Sequence, residues 1–160
     1  ATVIDLTVPT DVSFTINPNA ALIADRFVSS EVQLTNNGST PICIAIQKFE
    51  AALDSTHIFE DVLPDTYSDE GWSNLNLFES KNKLALGIKA TDTLDWVSCA
   101  IDVNPMYACQ VQGLESGLTL DWGVLGAGNS AGIQFVAKHG NAFELALSCS
   151  YNLVLVVSLP

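Results

Sequence analysis

The sequence predicts an all-β fold, a β-sandwich of jelly-roll or immunoglobulin-like layout with about ten strands and one short helical insert over 64–82. Residues 143–159 give the clearest reason. Leu145, Leu147, Cys149, Tyr151, Leu153, Leu155, Val157 and Leu159 fall on one side at period two, opposite Glu144, Ala146, Ser148 and Ser150. That alternation is a strand half-buried on one face. After Asn152, Val154 and Val156 make the second face apolar too, so both faces of this last stretch are expected to be covered. The other reason is spacing: short alternating runs recur along the chain with turn residues between them.

In chain order, residues 2–8 alternate Ile4, Leu6 and Val8 against Asp5 and Thr7, and Pro9 ends the run. Residues 12–16 alternate again, and Asn17-Pro18-Asn19 turns the chain. Over 26–35, Val28, Val32 and Leu34 face inward. Asn36-Asn37-Gly38-Ser39 then reads as a tight hairpin turn, because Asn-Gly tolerates positive φ. The returning strand, 41–49, points Ile42, Ile44 and Ile46 at the core, and a weaker strand covers 58–63. The insert is expected to be helical from 64: Ser68 can cap it, Asp69 and Glu70 suit its first turn, and Trp72, Leu75 and Phe78 recur at helical spacing. Strands follow at 84–90, through a hairpin over 94–112, and at 118–122. The glycine-rich 123–132 is expected to be a loop, 133–137 a strand, and His139-Gly140-Asn141 the turn before the last strand.

Residues 1–160 suit one domain. Six Lys and Arg stand against 18 Asp and Glu, a formal net charge of −12. Such a surface repels nucleic acid and anionic lipid, and no apolar run approaches the ~20 residues of a spanning helix, so neither nucleic acid nor membrane insertion is expected. Ala1 leading directly into a strand reads as a mature N-terminus left by signal-peptide cleavage, which places the protein outside the cell.

The four cysteines fit that compartment. Folding 94–112 about Asn104 sets Cys99 opposite Cys109, with the turn at Val103-Asn104-Pro105, and predicts a Cys99–Cys109 disulfide. Cys43–Cys149 is left as a long-range bridge. The alternative is four buried free thiols.

Catalytic residues are not expected. His57 and His139 lie in no nucleophile or metal pattern. Glu60, Asp61, Asp65, Asp69 and Glu70 group hard oxygen ligands that would suit calcium, the only cofactor suggested, but they lack the regular spacing of a calcium loop, and a solvated acidic face with a helix N-terminus explains them without a metal. Asn37-Gly38-Ser39 is also an N-glycosylation sequon. Trp72, Trp96, Trp122 and Tyr67 offer a sugar-stacking platform if Trp96 is exposed, and a core if not. The terminal strand must find a partner, either in its own sheet or along a neighbouring subunit. In the second case Val3, Ile4, Leu6 and Val8 of donor segment 1–8 would fill the neighbour's pockets.

The mature-like N-terminal strand, the Val32-Gln33-Leu34-Thr35-Asn36-Asn37-Gly38-Ser39 strand and turn, and the β-rich remainder with a helical insert together resemble the secreted β-sandwich fibre subunits of the TasA and camelysin group and their archaeal bundling-pilus relatives. The resemblance implies a jelly-roll subunit of an extracellular filament or pilus with an adhesive or biofilm role. It implies a homopolymer in which each subunit donates its N-terminal strand to the next. The alternative expectation is a monomeric secreted module that binds surface carbohydrate or protein.

Overall fold

A computed structural model describes residues 3–8, 12–29, 31–102 and 104–160. Its elements, in order, are β1 (Leu6–Thr7), β2 (Ser13–Ile16), β3 (Phe27–Ser29), β4 (Val32–Asn36), β5 (Ile42–Ala51), β6 (Glu60–Asp61), α1 (Asp69–Ser73), α2 (Leu77–Asn82), β7 (Lys83–Ala90), β8 (Trp96–Cys99), β9 (Met106–Tyr107), α3 (Ala108–Gln112), β10 (Leu120–Leu125), β11 (Ser130–His139) and β12 (Leu147–Ser158). The expected all-β fold is present: two six-stranded sheets and a few short helices. One sheet runs β1-β4-β11-β7-β6 with β9 also on β7, and the other runs β3-β2-β12-β5-β10-β8. All ladders among the described residues are antiparallel except β6 on β7.

The period-two pattern sets the inner faces. Ile42, Ile44 and Ile46 of β5 meet Leu84, Leu86 and Ile88 of β7 in one core with Leu34, Ile133, Trp122 and Leu125, all buried. Each such side chain contributes about 1.5–3 kcal/mol on leaving water. β7 is buried on its outer face as well, because Trp72 and Leu75 of the helical insert pack on Ala85.

The structure corrects several local expectations. Asn37-Gly38 is not a hairpin turn. β4 and β5 lie in different sheets, and Gly38 is not among the glycines with positive φ. Asn36 makes this an inter-sheet corner: buried, it donates Nδ2 to the carbonyls of Thr40, Leu125 and Gly126, and its Oδ1 accepts from Gly38 N at 3.0 Å. The insert is not one helix. Ser68 Oγ does accept from Gly71 N at 3.0 Å, but Asn76 forms a reciprocal capping box with Glu79 and starts a second, separate helix. That turns Phe78 out to 78% exposure. The glycine-rich 123–132 is mostly strand, claimed by β10 and β11.

The cysteine hairpin does not form either. β8 pairs with β10 instead, Cys99 facing Gly123, while Cys109 sits in α3. Val103, at the expected turn, lies outside the described residues, as do Ala1, Thr2 and Pro9. β5 and β12 are neighbours, but their register sets Cys43 against Ser158, nine positions from Cys149 and roughly 30 Å along the strand. Cys43 and Cys149 are therefore out of bonding reach, and all four thiols are free.

Candidate functional site

One edge of β12 is left unpaired within the sheet among the described residues. On one side, 147–150 pairs with β2, and Tyr151 N still donates to Val12 O at 3.1 Å. On the other side, 151–158 pairs with β5. No described residue pairs with the free edge of 152–158, so its outward N–H and C=O groups form a template for another strand. Leu153, Leu155 and Val157 point at the core beside that edge yet are only half-buried. In the opposite sheet β1 covers β4 only at Thr35 and Asn36, leaving Val32 and Leu34 beyond it. Between the two sheets lies a slot of about 90 Å³ lined by Val8, Val12, Val32, Leu34, Trp122, Leu153 and Leu155. Trp122 is fully buried, and its indole N–H has no acceptor among the described residues.

The predicted donor segment lies beside this slot, and in this structure it is docked on its own chain. Leu6 pairs with Asn36 and Thr7 with Thr35. Asn37 clasps the segment: its N donates to Asp5 O at 2.9 Å, and its Nδ2 donates to Asp5 Oδ1 at 3.1 Å and Thr7 Oγ1 at 2.8 Å. Of the four apolar residues expected to fill pockets, Leu6 packs on the core, whereas Val3, Ile4 and Val8 are exposed at 74%, 39% and 38%.

The acidic residues do not converge. Asp61 accepts from Tyr151 Oη at 2.6 Å and from Gln112 Nε2 at 2.8 Å, joining the two sheets through α3. Burial raises its pKa, although these two donors pull the other way. Asp69 pairs with Lys138 at 2.8 Å on the surface and Glu60 pairs with Lys83, while Asp65 lies in a 3₁₀ turn and Glu70 in α1. Among the described residues no three acidic, His or Cys side chains gather to hold a metal. Removing the Tyr151 hydroxyl leaves half-buried Asp61 with one donor. Tyr151→Phe should therefore cost about 1–3 kcal/mol, read as a lower urea midpoint.

The remaining candidates also resolve. Trp72, Trp96 and Trp122 are buried, which removes the exposed ring the sugar platform needed. His57 Nε2 donates to Lys81 O and His139 Nδ1 to Gly140 O, each at 2.7 Å, and burial lowers the pKa of His139. Burial raises the Cys99 and Cys109 thiols and pushes Cys149 up to about 11, so these sulfurs stay protonated and unreactive at neutral pH. Tyr151 is raised by the same cause and by the Asp61 charge. The pH dependence follows. Unfolded, the Cys149 thiol ionises near 9.0, but folded only near 11, so in that window the unfolded chain has lost a proton the native chain retains. Stability should fall as pH rises from about 9 to about 11. Cys149→Ala should flatten part of that fall in denaturant midpoints measured across the range.

Comparisons with protein-family profiles, with curated proteins and with solved structures each found no match.

Proposed function

We propose that the chain is a structural subunit of an extracellular filament, a homopolymer in which the N-terminal segment of one subunit adds as a strand to the next. The observation that carries this reading is the free edge of 152–158 beside the apolar slot. A strand laid there pairs the open backbone groups and buries Leu153, Leu155 and Val157 more fully. The alternating segment Ile4, Leu6, Val8 has the chemistry to fill it, and docked on its own chain Ile4 and Val8 remain 39% and 38% exposed. A donor at one end and an acceptor groove elsewhere make a head-to-tail contact that does not close, which yields a fibre. The extracellular placement, and with it any adhesive or biofilm role, rests on the family resemblance, since the cysteines are unpaired.

The test is electron microscopy of the purified protein beside a variant lacking residues 1–8. Fibres are expected from the full chain. The truncated chain should give only monomer, with an unchanged β-type circular dichroism spectrum. Fibres persisting without residues 1–8 overturn donation from this end, and a full chain that stays monomeric at high concentration overturns self-assembly.

A further inference from the structure

Asn37 is the acceptor position of an N-linked glycan sequon and also the residue that clasps β1. Both uses draw on the same atom. The amide nitrogen Nδ2 carries two hydrogens, and the clasp engages both, one toward Asp5 Oδ1 at 3.1 Å and one toward Thr7 Oγ1 at 2.8 Å. The side chain is exposed, and the corner it belongs to does not depend on it: Asn36, not Asn37, ties the turn to Thr40, Leu125 and Gly126.

We propose that Asn37 is a glycosylation site whose occupancy and the docking of β1 on β4 exclude each other, so that attaching a glycan frees the N-terminal strand. The donor class is a sugar carried on a lipid diphosphate. Nδ2 attacks the anomeric carbon, the Nδ2–C1 bond forms, the bond from C1 to the diphosphate oxygen breaks, and the lipid diphosphate leaves. Nδ2 gives up one proton to a base of the transferring enzyme. The nitrogen then holds one hydrogen where the clasp needs two. The new carbon stands about 1.5 Å away, a covalent C–N distance, with a sugar ring behind it. Asp5 or Thr7 occupies that space when β1 is docked, so one of the two must leave. Because Asn36 holds the corner, β1 detaches without unfolding β4 or β5. The consequence for assembly rests on the strand-exchange reading above, but the exclusion does not.

The experiment compares protein from a host with an N-glycosylation pathway and from one without, with Ser39→Ala and Asn37→Asp beside them. Ser39→Ala removes the sequon and keeps the clasp. Asn37→Asp sets a carboxylate against Asp5 and breaks the clasp without any sugar. Peptide mass spectrometry reads occupancy at Asn37, and hydrogen exchange reads the peptide spanning residues 3–8. The glycosylated fraction and Asn37→Asp should exchange that peptide about tenfold faster or more than the unmodified protein and Ser39→Ala, the factor expected for losing one or two hydrogen bonds. Peptides from β4 and β5 should be unchanged. The proposal is overturned by a glycan on Asn37 with residues 3–8 still protected, or by an unmodified Asn37 in a host that glycosylates a control secreted protein. Fibre formation is scored separately: a freed strand that yields no fibres counts against strand exchange and leaves the exclusion standing.

Discussion

Leu155→Asp should abolish filament assembly while leaving a folded subunit. Leu155 lies on the core-facing side of β12, half-buried and lining the slot beside the free edge. In the monomer a carboxylate there keeps contact with water, so the cost is that of losing a partly buried leucine, about 1–2 kcal/mol. In the filament the added strand seals the slot. The carboxylate must then either lose its water without a partner or take up a proton, at several kcal/mol. Each 1.4 kcal/mol is tenfold in affinity, so the contact weakens by about a thousandfold or more. Aspartate is the sharper probe than lysine, whose long stem lifts its charge out of a groove. Val154→Asp, one residue away on the opposite face, is the control. Val154 is already 38% exposed, and a charge there touches solvent whether or not a strand is added. Sedimentation and electron microscopy should therefore show fibres from Val154→Asp and none from Leu155→Asp. Fibres from both variants would mean that the slot is not the acceptor.

The alternation that predicted β12 held because that strand has one face against the core and the other toward water, so period two records burial directly. In β7 both faces are buried, and the alternation is of large core side chains against Gly87 and Ala85, the latter under the insert. The errors arose where a distant residue decided a local choice. Asn37-Gly38 carries the local chemistry of a hairpin, but Asn36 reaches the carbonyls of Leu125 and Gly126 some ninety residues away and turns the chain toward the other sheet. Residues 107–111 fit two periods at once. Tyr107, Cys109 and Val111 alternate as a strand would, while Ala108 and Val111 share a helical face, and it is the helical pair that is buried. The Gln110 side chain accepting from Tyr107 N at 2.8 Å tips that stretch to helix. Without it the cysteine register loses its second strand. The candidate groove was not legible in the sequence: Val154 and Val156 made both faces of 153–157 apolar, which implied a cover on each side. The structure leaves them 38% and 40% exposed and leaves the edge beside them free. The expected cover on that outer face is therefore absent among the described residues, while the slot lies on the other face beside Leu153 and Leu155, whose period-two pattern is that of any core-facing strand.

Gly123→Ala should destabilise the fold strongly, because the added methyl meets both backbone strain and a backbone clash. Gly123 sits where the β10–β5 register slips between Asp121 and Gly123, the irregularity next to buried Trp122. Its φ is +150°, a conformation L side chains rarely adopt, and a Cβ built there lies 2.1 Å from the carbonyl oxygen of Ser98 and 3.0 Å from Cys99 Cα. Those atoms are backbone of β8 and cannot rotate away, so β8 must separate from β10. Backbone strain of about 1–3 kcal/mol adds to overpacking of similar size, for a total of about 3–5 kcal/mol. At 2–4 °C per kcal/mol this lowers Tm by roughly 6–20 °C. Gly117→Ala isolates the strain, because Gly117 also has positive φ, +85°, but no atom lies within 4 Å of the added methyl. It should cost about 1 kcal/mol. If the two variants melt alike, β8 does not lie against β10 as described. If Gly123→Ala alone collapses, the β10 irregularity is fixed by the close approach of β8. Trp122, which that irregularity sets under the open edge of β12, is then held in place by the neighbouring glycine, whose own close contacts lie on β8, away from the groove.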